Sequence, residues 1–294
     1  MNLAKNTLGA MEKQFVHSLT NRHESREAQA MFRHAVDHLL QLSPAQLLLA
    51  KEQRLSESEI LSFQGILQGL SDGKPLQYLL GEVVFDALHL KVDERVLIPR
   101  PETEELVDYV DQHLQHHFAR GASVLDLGTG SGCIALGVKQ RYPKAVVHGM
   151  DVSPNALELA RQNAVDNQLE VDFFQGNLLT GEGLKNRGPY DLLVSNPPYV
   201  PQSEGENMAP HVLDHEPHLA LFVPEDDPLI FYRRILELSE SLLKEGGWVF
   251  FEIHASLGQA MVHLLETVKR WDAIELKQDL SGHDRMIWAQ KNQD

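Results

Sequence analysis

Cysteine is almost absent. Cys133 stands alone among 294 residues, which excludes intrachain disulfides and a cysteine-rich zinc site and fits a reducing compartment. Long apolar runs are absent as well. The stretch from Met1 to Phe15 interleaves Lys5, Glu12 and Lys13 with its apolar residues, so no secretory leader is expected there. No segment reaches the roughly 20 apolar residues that a membrane-spanning helix needs. The expectation is a cytoplasmic protein without a membrane partner. Basic charge is scarce: 26 Lys and Arg face 42 Asp and Glu, a formal net charge of -16. That sign is wrong for a protein that gains affinity from phosphate contacts, so no direct nucleic-acid partner is expected. Arg233-Arg234 is a short basic cluster and reads as a solvated helix face.

What is present is an ordinary globular composition, 43% hydrophobic and 23% charged, with enough apolar material for a sizeable core. Ala28, Met31, Phe32, Ala35, Leu39 and Leu40 follow helical spacing, which predicts an amphipathic helix over 26–40. Ser43-Pro44 starts a second helix, and Ser56 with Glu59 forms a capping box for a third. Residues 1–75 thus read as a small helical bundle. Gly73-Lys74-Pro75 breaks that pattern, and 76–96 alternates like a β-hairpin linker. Leu97-Ile98-Pro99-Arg100-Pro101 is extended up to Pro101, which can open a helix through Val110. From there to 294 strands alternate with helices. The strands are expected at Ser123–Leu127, Ala145–Met150, Val171–Gln175, Asp191–Ser195 and Trp248–Ile253. The helices are expected at Cys133–Arg141, Pro154–Val165, Leu229–Leu243 and Ser256–Arg270. Such alternation predicts an α/β fold with a mostly parallel, doubly wound, Rossmann-like sheet that binds ligands beyond the carboxyl ends of its strands.

Val124-Leu125-Asp126-Leu127 runs into Gly128-Thr129-Gly130-Ser131-Gly132, a strand entering a turn where glycines let backbone approach a ligand closely. A dinucleotide fingerprint needs its third glycine where Cys133 stands, and a P-loop lysine is missing. Asp126 before the turn disfavours a pyrophosphate and favours a sulfonium or ammonium group. Asp151 closes the next strand, where a carboxylate can accept ribose hydroxyls. Together the features favour a nucleoside cofactor, and S-adenosylmethionine supplies both cations. A bare structural turn would need neither acid.

Ser195-Asn196-Pro197-Pro198-Tyr199 follows the strand that ends at Ser195. The two prolines stiffen the backbone, Pro197 keeps a free carbonyl, and Asn196 adds a side-chain acceptor. Two acceptors can hold one planar NH2 group and aim its nitrogen at a methyl donor, and Tyr199 offers a flat wall. A rigid turn alone would not require the asparagine.

These residues resemble the release-factor glutamine methyltransferases, which methylate the side-chain nitrogen of the glutamine in the Gly-Gly-Gln loop of peptide chain release factors. The resemblance spans most of the chain. It includes the helical N-terminal region, Leu97-Ile98-Pro99-Arg100-Pro101-Glu102-Thr103-Glu104-Glu105-Leu106, the glycine loop, Asn196 to Tyr199, His215-Glu216-Pro217, and Asp279-Leu280-Ser281-Gly282 with Arg285. It implies a class I methyltransferase sheet, S-adenosylmethionine as cofactor and release factors as partners, with the helical bundle docking the substrate. It also implies that Gly128, Thr129, Gly130, Ser131 and Gly132 cradle the methionine part of the cofactor and that Asp151 holds the ribose. Asn196, Pro197, Pro198 and Tyr199 would hold the target amide, with Asn196, Pro197 and Tyr199 as the catalytic set and Asn196 touching the cofactor too. Leu178 stands where the family has an aromatic residue beside the adenine, and Asn177 where it has an acid. Residues 201–217 would cover the substrate, with Arg100 and Glu216 shaping its pocket.

Ribosomal-protein glutamine methyltransferases share Asn-Pro-Pro-Tyr, but Pro101-Glu102-Thr103-Glu104 favours the release-factor branch. Amino-directed DNA methyltransferases use a similar motif on an exocyclic NH2, and the negative charge weighs against them. An inactive cofactor-binding module has no need of Asn196. His113, His116 and His117 lack a third well-spaced ligand, so no metal is expected and they read as a solvated face. His215 reads as a loop contact and Cys133 as packed.

Overall fold

A computed structural model describes residues 6–293 of the chain, in two compact units: residues up to Gly81 together with Ala209–His215, and Glu82–Met208 together with Glu216 onward. Lys5, which argued above against a leader, lies outside the described residues.

The first unit contains α1 (Leu8–Leu19), α2 (Ser25–Leu40), α3 (Pro44–Leu49), α4 (Glu57–Ser71) and α5 (Leu76–Leu80). Its helix starts are encoded locally. Thr7 caps α1, and reciprocal capping boxes join Ser43 to Gln46 and Ser56 to Glu59, each satisfying amides that a helix leaves free. The apolar stripes meet around Phe15, Phe32 and Phe63, whose rings lie 5.4 and 5.5 Å apart in sequence. Helix α5 occupies the start of the segment expected to be hairpin. Leu76 is buried in the helical cluster, with Leu79 and Leu80 packed against it, and Gly81 ends the helix at φ 76°.

The second unit opens with a hairpin, β1 (Glu82–Phe85) and β2 (Leu88–Lys91), then α6 (Pro101–His117). Phe85, Leu88 and Leu90 are buried in the core of this unit, so the hairpin is part of its packing. Next come β3 (Ser123–Leu127), α7 (Cys133–Arg141), β4 (Val146–Asp151), α8 (Pro154–Asp166), β5 (Asp172–Gln175) and β6 (Tyr190–Ser195). A short strand β7 (Val200–Pro201) leads to α9 (Pro210–His215), which clusters with the first unit, and to β8 (Phe222–Val223), which pairs with β7. The chain ends with α10 (Ile230–Leu242), β9 (Leu243–Glu252), α11 (Gly258–Val268), β10 (Trp271–Gln278) and β11 (Asp284–Lys291).

Among the described residues these strands build a seven-stranded sheet in the order β10-β11-β9-β6-β3-β4-β5. β9, β6, β3, β4 and β5 run parallel, β11 runs antiparallel to β9, and β10 runs antiparallel to β11 at the edge. Successive residues of a strand face opposite sides. Val124, Leu192, Val194 and Phe250 join one core with α6, α7 and α8, while Leu125, Leu193, Val249 and Phe251 join another with α10 and α11. Helices therefore cover both faces, as the alternation predicted. Strands β10 and β11 were not foreseen. Strand β10 is largely exposed and irregular in register, so its residues carry no clean alternation. Among the described residues no helix is long and apolar enough to cross a membrane.

One expectation about α6 needs correction. His113 is no part of a solvated face: its ring lies 4.2 Å from that of Trp248 and 5.3 Å from that of Phe250. Helix α6 runs on to His117, which carries His113 onto the sheet. Burial, with the charges of His117 and His116, pushes His113 down from 6.5 to about 4. Between those values the unfolded chain binds more protons than the folded one, so this group removes stability as pH falls from 6.5 toward 4 and is neutral above that window. Chemical denaturation of the wild type and His113→Phe at pH 7 and pH 5 checks this. The wild type should lose more stability on acidification than the variant, because phenylalanine keeps the aromatic packing and cannot take the proton.

Candidate active site

The strand order reverses between β3 and β6, which neighbour each other although two strands separate them in sequence. In doubly wound sheets the crevice at such a point is where ligands bind. Here it brings the glycine loop after β3 beside the Asn-Pro-Pro-Tyr segment after β6.

The loop is fixed from below. Gly128 and Thr129 both donate their amides to the Met150 carbonyl at the end of β4, at 2.8 and 2.9 Å. Asp126 is fully buried, and its Oδ2 accepts from Thr129 Oγ1 at 2.6 Å and from the Ala135 amide at 3.2 Å. Burial drives this carboxyl up to about 7 against those two hydrogen bonds. Asp126 therefore ties the loop to the first turn of α7 instead of facing a ligand, a correction to the charge argument made from sequence. Cys133 beside it is pushed up to about 12, by burial first, and is packed as expected.

A cavity of about 220 Å³ opens above the loop. Gly128, Gly130, Asp151, Leu178, Asn196 and Pro198 line it, together with Met150, Ala156, Asn177 and Phe231. Thr129, Ser131 and Gly132 belong to the inner side of the loop and do not line it. Thr129 and Ser131 are buried, and a Cβ at Gly132 would meet Phe173, Ala160 and Leu136 at 3.1 to 3.3 Å. A Cβ at Gly128 or Gly130 would meet nothing within 4 Å. Asp151 accepts from the Gly130 amide at 2.9 Å and from the Ser153 amide at 2.8 Å, one bond to each oxygen, which leaves lone pairs on both. Burial raises its carboxyl. The Asn177 side chain folds back onto the amides of Leu179 and Thr180.

Pro197 and Tyr199 do not line the cavity. The Tyr199 hydroxyl donates to Glu252 Oε1 at 3.3 Å, and burial, then the charge of Glu252, drives the phenol upward. Glu252 was not anticipated. It is buried at the carboxyl end of β9 and accepts from Thr103 Oγ1 at 2.7 Å, while Thr103 accepts from Asn196 Nδ2 at 3.3 Å. Burial raises the Glu252 carboxyl, and the Thr103 bond, the charge of Arg285 and the Tyr199 bond oppose that. The legible signal was an acid ending the apolar run from Trp248. Glu216 is also buried, accepting from the Ile98 amide at 3.0 Å and from Arg100 Nη2 at 2.5 Å. That pair anchors the chain just before Pro217, Leu219 and Ala220, which line the cavity.

Residues 103–218 match the methyltransferase small domain family, and residues 13–81 match the PrmC N-terminal domain. Over 275 residues the chain is 40% identical to a release factor glutamine methyltransferase from Flavobacterium psychrophilum, spanning 93% of this chain and 95% of that one. The chain belongs to the release factor glutamine methyltransferase family. A member from Bacteroides thetaiotaomicron is 38% identical over 253 residues, 86% of this chain and 89% of that one. The crystal structure of a methyltransferase from Pyrococcus furiosus shares the fold, with a TM-score of 0.50 at 17% identity over 71% of this chain and 91% of that one. As a member of the release factor glutamine methyltransferase family, the protein is a methyltransferase that uses S-adenosylmethionine.

The cavity residues fit that cofactor. Open space over Gly128 and Gly130 admits a ligand against backbone, the Asp151 carboxylate can take ribose hydroxyls, and Met150, Ala156, Leu178 and Phe231 offer apolar surface to a flat base. The two ends of the loop should therefore respond differently to one added methyl. Gly130→Ala, at φ 53°, should cost about 1 kcal/mol of stability and weaken cofactor binding by calorimetry. Gly132→Ala, at φ 85° and against three side chains, should cost about 1–3 kcal/mol in urea unfolding.

Proposed function

We propose that this protein transfers the methyl group of S-adenosylmethionine to the side-chain amide nitrogen of the glutamine in the Gly-Gly-Gln loop of peptide chain release factors. The observation that carries this reading is Asn196, which lines the cavity at the carboxyl end of β6 with its Nδ2 turned to Thr103.

An amide nitrogen is a weak nucleophile because its lone pair is delocalised, and no ordinary side chain deprotonates it at neutral pH. Positioning must therefore supply most of the rate. The cofactor, when bound, supplies an electrophilic methyl group on a sulfonium. Asn196 Oδ1 and the Pro197 carbonyl accept the two N–H bonds of the target and hold its plane. As the nitrogen gains its new bond it becomes positive, and both acceptors interact more strongly with the N–H dipoles than they did before transfer. One proton then leaves the nitrogen for solvent. Pro198 faces the cavity and Tyr199 braces the segment from behind through Glu252. Asp151 would hold the ribose and Leu178 would offer apolar surface to the base. The helical unit, matched by the PrmC N-terminal domain, docks the release factor, and the net charge of -16 favours a protein partner over nucleic acid.

Purified protein incubated with labelled cofactor and release factor should place the label on that glutamine, as read by mass spectrometry, and should leave its Gln→Ala variant unlabelled. Label on a ribosomal protein or on DNA in place of the release factor would refute the assignment. Asn196→Ala should lower kcat by about 10²–10³-fold, while calorimetry finds cofactor affinity changed by less than about tenfold.

A further inference from the structure

A side-chain amide can present either its oxygen or its NH2 group to a ligand, and only the oxygen can hold a substrate N–H. Which one Asn196 presents is decided by its neighbours. Thr103, in the first turn of α6, gives its hydroxyl proton to Glu252 Oε2 at 2.7 Å. A hydroxyl has a single proton, so with that proton spent on Glu252 the Thr103 oxygen can offer Asn196 only a lone pair. The atom facing it must be Nδ2, at 3.3 Å. Oδ1 is thereby left for the acceptor amide. The other oxygen of Glu252 takes the Tyr199 hydroxyl, and its backbone carbonyl takes that of Tyr232 at 3.0 Å.

We propose that Glu252 and Thr103 are positioning residues for methyl transfer: the carboxylate fixes the direction of the Thr103 hydroxyl, and Thr103 in turn fixes the Asn196 amide with its oxygen toward the substrate nitrogen. Run backwards, with a proton on Glu252, the same chain of bonds would let Thr103 donate to Oδ1 and turn the NH2 group of Asn196 against the NH2 group of the substrate. Donor would then face donor. The inference rests on Asn196 as the holder of the acceptor amide.

The test uses the full-length protein as wild type, Thr103→Val, Thr103→Ser and Glu252→Gln. Valine keeps the shape of threonine and removes the hydroxyl, serine keeps the hydroxyl, and glutamine removes the charge that gives the relay its direction. The first readout needs no methyl acceptor. In protein carrying ¹⁵N-asparagine, the Asn196 side-chain NH2 signals, assigned by their loss in Asn196→Ala, should exchange slowly with water in the wild type and Thr103→Ser and rapidly in Thr103→Val. Equal exchange in all three overturns the relay.

The second readout is turnover on release factor. Thr103→Val should lose about 10²-fold in kcat with KM for the cofactor unchanged, and Thr103→Ser should restore most of it. Glu252→Gln should lose activity while its cooperative thermal transition is retained, since glutamine keeps the size of the side chain but cannot accept on both of its polar atoms. That split between activity and stability is not what a purely structural residue gives. Full activity in Thr103→Val or in Glu252→Gln, or equal loss in the valine and serine variants, overturns the proposal. A wild type inactive on release factor would refute the substrate reading alone, and amide exchange would still decide the relay.

Discussion

Because β3 and β6 pair in parallel through Val124 and Leu192, Leu125 and Leu193, and Asp126 and Val194, the chain leaving each strand emerges on the same edge of the sheet. Ser195 Oγ extends that contact past the last paired residues by donating to the Leu127 carbonyl at 2.5 Å. The glycine loop and Asn196 are therefore held at a fixed separation by backbone geometry and not by contacts between their own side chains. Strands β4 and β9 add the remaining pieces from the flanks, Asp151 on one side and Glu252 on the other. A shift of register in this one pair would move donor and acceptor sites apart together.

Two buried acids serve this arrangement in different ways. Asp126 lies under the loop and is driven up by burial to about 7, so its service is short-range: it receives Thr129 and Ala135 and curves the chain into α7. Glu252 lies under the acceptor side, where its carboxylate accepts hydroxyls from α6 and from the segment after β6 and its backbone carbonyl accepts one from α10. Burying a carboxylate is costly unless its oxygens find donors. Glu252 meets that condition on both oxygens, from Thr103 and Tyr199, whereas Asp126 meets it on Oδ2 alone and keeps Oδ1 buried without a partner.

Much of this was legible beforehand because the signals were local. The capping serine before Pro44, the capping box at Ser56, the glycines after Leu127, and the prolines after Asn196 state their geometry within a few residues, and they fall where the structure puts them. What stayed hidden depends on partners distant in sequence. His113 looked solvent-facing because its helix shows two more histidines nearby, and nothing local reveals that Trp248 and Phe250 lie beneath it. Asp126 looked like a ligand-facing charge until the fold turned it inward. Glu252 belongs to a run that reads as core strand, and its meeting with Thr103 joins residues 149 positions apart. Strand β10 is exposed, and no hydrophobic alternation marks it.

Residues 209–215 bear on how this architecture can change. The main chain passes from one compact unit to the other at 81/82, returns at 208/209 and leaves again at 215/216. The helical unit is thus not a detachable prefix. A recombination event that exchanged only the residues before Glu82 would separate α9 from the unit with which it clusters, and a clean cut of the sheet unit would have to bridge Met208 to Glu216. Exchanging the N-terminal stretch alone would therefore leave residues 209–215 behind, because the chain enters that unit twice.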